Sequence, residues 1–479
     1  MAVSIITQKP LYNQLPVGSE IIFTVSNDTA VANETKVKFC VDIYISSGAI
    51  ASTSQTVNLK GTFKTTPNNR GVGMFDLSNI LANYVKAENM ANTYSDYKGT
   101  GTTDVNRHPM HLIDKFSMQK KTVNYLALQF YVEYADATTG IVAADTQTEV
   151  DSESYTFFNA YLKHTDILTS NQVGSSTTNV GDFGFSLSKY MPVALAGAST
   201  KNYLTNAPTT QYANPGDYGT LAINTPNAIT GESFDEIVIT YYDDSGSISS
   251  PDTVVRNQTN GAYGTWNSTA RHLMVFFGCY PGNLENWSAN YTAAVAAGLT
   301  YYTIVAQDNS VSPKRCLRTM TIRLTCPTEK GYEPIRLAWL NQWGAWDYYT
   351  FSKKSIRTTS TQGTTYTQLA GTWGSNRYKL DSHLGGKKAF RVNATEKIRV
   401  NTDFVSEDFN EMFEELTNSP EVYLLEGFQS DKLYSALNQY VTPVRLTTSN
   451  FTRKTSANDN LIQYTFEIEK SKTLRTQSV

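Results

Sequence analysis

The sequence predicts a mainly β, multidomain protein, with two N-terminal β-sandwich-like domains followed by an α+β C-terminal domain. Three observations carry that prediction. Period-two alternation recurs along the chain: in VKFCVDIYI, Val37, Phe39, Val41, Ile43 and Ile45 alternate with Lys38, Cys40, Asp42 and Tyr44. That is the pattern of a strand with one buried face. Charged residues make up 17% of the 479 positions, below the ~25% usual for soluble domains. Thr, Ser, Asn and 30 Tyr take their place, which suits pleated, half-buried surfaces. Finally, amphipathic helical patterns are few.

The strand signal begins with SEIIFTVS and VKFCVDIYI. It recurs in LALQFYVEY, where Leu126, Leu128, Phe130, Val132 and Tyr134 share a face, and then in EIVITYY, MTIRL and LIQYTFEIE. Asp243-Asp244-Ser-Gly reads as a hairpin turn, because Asp and Gly supply the backbone conformations it needs. Asp76 can cap a helix over LSNILANYV, with Leu77, Ile80, Leu81 and Tyr84 on one stripe. A shorter helix candidate runs from Ser288 to Ala297 and is closed by Gly298. Ser406 can cap EDFNEMFEEL, where Phe409, Met412, Phe413 and Leu416 form one stripe and Glu407 and Asp408 favour the N-terminal dipole. That stripe is a candidate assembly helix, and Ser419-Pro420 stops it.

At roughly 150 residues per domain the length suggests about three domains. Residues 136–152 are polar and turn-rich, 168–232 read as long loops between short strands, and Pro327 to Pro334 breaks the chain. The expected domains are therefore 1–165, 166–330 and 331–479, the last read as an assembly module. No short-period repeat marks a solenoid or propeller.

Composition narrows the function. A net charge of −3 and a pI near 6.0 leave no electrostatic footprint for nucleic acid. Lys115, Lys120 and Lys121 read as solvated surface. Four cysteines in so long a chain make no disulfide scaffold. Cys40 falls in a strand, and Cys316 and Cys326 are too far apart for a CxxC knuckle, so the expectation is a reducing environment, no zinc and no cofactor. The N-terminal MAVSIITQKP lacks a signal-peptide pattern, and no apolar run approaches ~20 residues. A soluble protein made in the cytoplasm is expected, and the sequons at Asn267 and Asn286 match chance in an Asn-, Ser- and Thr-rich chain.

Candidate chemistry is sparse. His108 and His111, with Asp104 and Asp114 nearby, resemble metal ligands, but Pro109 intervenes and no third ligand is implied. They read as surface histidines on a loop. The other histidines (His164, His272, His383) are scattered, and no G-x-S-x-G elbow supports a hydrolytic triad. Glycoside hydrolysis needs only two carboxylates. Asp42, Glu133, Asp243, Asp244, Glu467 and Glu469 lie on or beside strands, where alternation turns most of them outward.

The densest feature is IRLAWLNQWGAWDYYTFSKK at 335–354, containing Trp339, Trp343, Trp346, Tyr348, Tyr349 and Phe351 around Gly344. Aromatic side chains carry a large hydrophobic payload. A short helix would place the three tryptophans on one face, and Leu340, Trp343 and Trp346 would equally serve as core beneath a strand. Core, subunit interface and sugar platform remain open. Asp347 can hydrogen-bond an indole or cap the turn.

Three stretches resemble virion structural proteins of tailed bacteriophages, especially crAss-like phages and others that infect Bacteroidetes. The first runs from PLYNQLPVGSEIIFTVSND through TKVKFCVDIYI to GVGMFDLSNILANYV. The second is TIRLTCPTEKGYEPIRLAWLNQWGAWDYYTFSKKS. The third is SPEVYLLEG with YVTPVRLTTSNFTRKTSANDNLIQYTFEIEKS. They cover roughly a third of the chain and bear fold patterns, so no functional residue is carried over from them. The resemblance implies a non-enzymatic part of a virion, made in the host bacterial cytoplasm, that contacts copies of itself in a ring and other virion proteins. Rings of identical copies use heterologous contacts closed by rotation, and long polar loops suit reaching a neighbour. The alternatives are a receptor- or glycan-binding head fibre or adhesin, with carbohydrate as partner, and a glycoside hydrolase.

Overall fold

The structure is a computed structural model. It describes residues 6–48, 50, 58–87, 90–91, 108–113, 115–119, 121–144, 149–150, 155–169, 183–185, 187–193, 199–225, 234–255, 273–308, 310, 312–325, 332–374, 376–425, 440–455, 462–471 and 474–475. Strands account for 47% and helices for 14%, in several sheets with no closed barrel among the described residues, so the protein is mainly β. It divides into two compact units, Met1–Leu324 with Leu340–Asp347, and Thr325–Trp339 with Tyr348–Val479.

In the first unit the two longest alternating runs pair antiparallel. Thr35–Ser46 lies against Val123–Ala135, with Val41 opposite Phe130 and Phe39 opposite Val132. Leu59–Thr65 and Tyr155–Phe158 flank this pair, and Gln14–Pro16 adds a parallel edge. A second sheet of Ile6–Gln8, Ile22–Ser26 and Val72–Asp76 packs face to face on the first. Phe23 comes within 5.7 Å of Phe130 and 5.8 Å of Tyr155, and Phe75 within 6.1 Å of Phe130. Gly73 permits that approach, since a Cβ there would lie 2.5 Å from the Phe39 ring. The result is a sandwich whose core is the alternating apolar set.

A five-stranded sheet follows in the same unit, ordered Thr210–Ala213, Met320–Leu324, Tyr301–Gln307, Glu236–Tyr242 and Asp252–Val255. In Glu236–Tyr242 the buried residues are Ile237, Ile239 and Tyr241, every second position. The helix Ala289–Ala296 lies on this sheet, with Tyr291 6.0 Å from Tyr241 and 6.3 Å from Tyr302. Ser288 caps it by accepting from the Tyr291 amide at 2.7 Å, and Gly298 beyond its end has φ +97°. The turn at Asp243 forms as its residues require: its carboxylate accepts from Ser245 and Gly246 amides. The helix after Asp76 is shorter than the apolar stripe suggests, Ser78–Leu81 followed by a 3-10 turn at Ala82–Tyr84. Asp76 Oδ1 accepts from the Ser78 amide at 3.0 Å.

The expected boundary near residue 165 is not a break in this division. Phe116–Met118 hydrogen-bonds to Met274–Gly278, which in turn pairs with Thr220–Asn224. One sheet therefore joins residues expected in separate domains. Alternation along a strand reports which face is buried but not which strand is its neighbour.

The second unit is α+β. Its sheet runs Trp346–Phe351, Ile335–Leu340, Val422–Leu425, Val441–Leu446, Thr465–Lys470, Gly386–Asn401 and Ile356–Gln368. A 3-10 turn at Glu407–Phe409 leads into the helix Asn410–Asn418, which packs on that sheet. The Ser406 hydroxyl makes no cap bond to the backbone. Among the described residues no helix is long and apolar enough to cross a membrane.

Candidate functional site

The segment 335–354 folds as strand, tight turn and strand rather than as a helix. Asn341 builds the turn: its amide donates to the Ala345 carbonyl at 2.8 Å, and its Oδ1 accepts from the Trp343 and Ala345 amides at 3.0 and 3.1 Å. Gly344 has φ +73°, and a Cβ there would lie 2.2 Å from the Asn159 carbonyl oxygen. Glycine meets both demands.

The tip residues Leu340–Asp347 belong to the first unit, and its residues enclose them. The Trp343 ring lies 4.5 Å from Tyr190 and 5.9 Å from Phe185, and its Nε1 donates to Asn206 Oδ1 at 3.3 Å. Gln342 Nε2 donates to the Tyr161 carbonyl and to Asp166 Oδ2, and its Oε1 accepts from Asn206. Trp346 stands edge-on to His111 at 5.2 Å. The Thr205 hydroxyl donates to Asp347 Oδ1 at 2.6 Å. Burial pushes the Asp347 carboxyl up to about 6, against the pull of the Thr205 and Asn341 side chains.

The remaining aromatics of the segment belong to the second unit. Trp339 is buried opposite Val422, and Tyr348 lies 5.3 Å from the Arg336 guanidinium. Tyr349 and Phe351 meet the candidate helix: Phe413 is 5.0 Å from Tyr349 and 6.4 Å from Phe351, and Phe409 is 6.0 Å from Tyr349. Met412 and Leu416 are buried on the same stripe. Both predicted sets are thus core. The tryptophans form no exposed sugar platform, and the helix directs its apolar stripe inward, leaving an acidic outer side. His111, expected at the surface, is fully buried.

Four of the six carboxylates suggested as hydrolytic candidates are partnered on strands, and Asp243 is held in its turn. Glu133 pairs with Lys64, which holds it below the usual carboxylate range. Glu467 lies 3.5 Å from Lys397 and Glu469 3.4 Å from Arg445. Asp42 accepts from Thr62. No group of three or more His, Cys, Asp or Glu among the described residues could hold a metal ion. Asp104, Asp114, Lys120, Asn267, His272 and Cys326 lie outside the described residues, as does the side chain of His108.

The site that sequence reasoning missed is a long β arm. Ile356–Gln368 pairs along its whole length with Gly386–Asn401, and Gly371–Trp373 pairs with Tyr378–Leu380 beyond it. Ile356–Gln368 is exposed along most of its length, and the returning strand is exposed chiefly over Gly386–Phe390. The arm's tip nevertheless carries Leu369, Trp373 and Leu380, which are 74%, 86% and 72% exposed. At the base, Arg357 bridges Glu333 at 2.8 Å and Glu396 at 3.0 Å. The register shifts between Thr364 and Thr365, leaving Phe390 as an extra residue on the returning strand. The available signal was the β-prone run TTSTQGTTYT followed by the glycines of GTWGSN.

No family model and no curated protein matches the chain. Among solved structures, the native conformation of Escherichia coli alpha-2-macroglobulin aligns with 98% of this chain at 8% identity, with a TM-score of 0.14. The chain spans about 38% of that protein's length, and a likeness this slight bears on neither fold nor function.

Proposed function

We propose that this chain is a structural component of a tailed-phage virion, a ring-forming tail, baseplate or neck protein that works by packing against other copies. The exposed arm carries this reading. Exposed apolar residues gathered in one place mark interaction sites, and Leu369, Trp373 and Leu380 gather at the arm's tip. The partners in this reading are copies of the chain and other virion proteins, and the location is the virion after synthesis in the host bacterial cytoplasm. The resemblance of its three long sequence stretches to phage virion proteins points the same way. Negative-stain micrographs of the purified full chain test the proposal, with closed rings as the expected result. A strictly monomeric species across a wide concentration range would overturn it.

Glycan recognition is a second reading, and Trp373 is the residue that favours it, with Tyr378 directly opposite on the paired strand. Its test is glycan-array binding that is lost on Trp373→Ala while the fold is kept.

A further inference from the structure

The arm and the helix segment of the second unit carry opposite charge. Residues 356–401 hold eight lysines and arginines against two acidic residues, a net charge of +6, in a chain whose total is −3. Residues 403–421 hold seven acidic residues and no basic one; Glu415 is buried, Asp403 pairs with Lys353 and Glu414 with Arg453, which leaves Glu407, Asp408, Glu411 and Glu421 as the acidic face of the segment. At the arm's base the cations are satisfied locally, as Arg357 and Lys397 show. Further out, Arg377, Lys379, Lys387, Lys388 and Arg391 make no ion pair among the described residues. The acidic segment has its own apolar element, Phe404, which is 62% exposed. Each surface is therefore a charged field around exposed apolar side chains, and the two fields are of opposite sign.

Resting on the ring reading above, we infer that the arm of one copy docks on the acidic segment 403–421 of a second copy of this chain. Its distal cations face Asp408 and Glu411, and its apolar tip covers Phe404. Asn393 is the outermost residue of the returning strand paired to the rest of the sheet, so the six paired residues Gly363–Gln368 project beyond it, about 20 Å at ~3.3 Å each, with the Gly371–Trp373 hairpin further out. Complementary potentials set partner choice and register. Because donor and acceptor are different surfaces of one chain, the contact is heterologous and repeats from copy to copy, closing into a ring when the rotation allows. An apolar tip distinguishes this arm from a ribbon that contacts only phosphates, and the arm's aromatics are paired with one another, Tyr366 lying edge-on to Phe390 at 6.4 Å and Trp373 opposite Tyr378.

Charge exchange in the full chain tests the inference, read by sedimentation velocity and micrographs. Variant one is Lys387→Glu/Lys388→Glu/Arg391→Glu, and variant two is Asp408→Lys/Glu411→Lys. Each alone should weaken self-association by about tenfold or more, and an equimolar mixture should recover it, because each then offers the other a complementary surface. Thermal melts check that both fold. Should variant two fail to fold, Trp373→Ser/Leu380→Ser provides an independent arm and should weaken association to a similar degree. Wild-type rings with unaffected variants would overturn the docking while leaving the ring reading intact. A wild type that never assembles overturns both. Arm-dependent binding to duplex DNA, with self-association untouched by the variants, would reassign the arm to nucleic acid.

Discussion

The hydroxyl of Thr205 donates to Asp347 Oδ1 at 2.6 Å, joining residues 142 positions apart inside the first unit. Both side chains are buried. Thr205 Oγ in turn accepts from the Ala207 amide at 3.0 Å. The carboxyl is thus positioned by hydrogen bonds but kept from water, and burial raises its value from 3.8 to about 6.

The sign of the resulting pH dependence follows. Below about pH 4 Asp347 is neutral in both states and costs nothing. Between about 4 and 6 only the unfolded chain ionises, so stability falls as pH rises. Above about 6 the full cost, about 3 kcal/mol, is present. Asp347→Asn should flatten this window and raise the melting temperature at pH 7. Melts at intervals from pH 4 to 8 check it, and an unchanged slope would count against the assignment.

Phe413 is fully buried and has Tyr349, Phe351, Phe409, Tyr464 and Phe466 around it. Phe413→Ala should cost about 3–5 kcal/mol, read from urea unfolding monitored by fluorescence. A loss under about 1 kcal/mol would mean the helix is not seated on the sheet as described.

Gly344→Ala places a methyl against the Asn159 carbonyl at a positive φ. Backbone strain alone predicts a loss of about 1–3 kcal/mol, and the contact adds to it. The comparison Gly140→Ala, also at positive φ but with open space around it, should show the strain without the clash.

Two serines that look alike in sequence should behave differently. Ser288 accepts from the Tyr291 amide and also donates to Asp252, so Ser288→Ala should cost about 1–2 kcal/mol. Ser406 makes no cap bond, so Ser406→Ala should stay within about 0.5 kcal/mol. Parallel denaturant titrations distinguish the two, and equal losses would contradict the capping geometry.

Much of the fold was legible because its strands bury one face. Val37 to Ile45 and Leu126 to Tyr134 alternate, and the structure pairs them as neighbouring strands. The Ser288 helix was legible through its cap and Gly298. What was not legible depended on neighbours. Nothing in Phe116–Met118 reveals that Met274–Gly278 is its partner, and Trp343 looks equally apt for a groove or a core until Phe185 and Tyr190 close over it. The arm was missed for the opposite reason: with both faces wet, Ile356–Gln368 has no hydrophobic period to read.

The extra residue at Phe390 gives that arm a rule of growth. A bulge bends and twists a strand pair, so it sets the direction in which everything beyond Thr365 points. Side chains alternate between faces with a period of two. Lengthening or shortening the arm by one residue per strand would turn Trp373 to the opposite face, whereas a change of two per strand would keep its aim and move it by roughly 7 Å. Variation in reach among chains that share this arm should therefore come in even steps, and deletion of Phe390 would act as a turn of the tip, with no gain or loss of length.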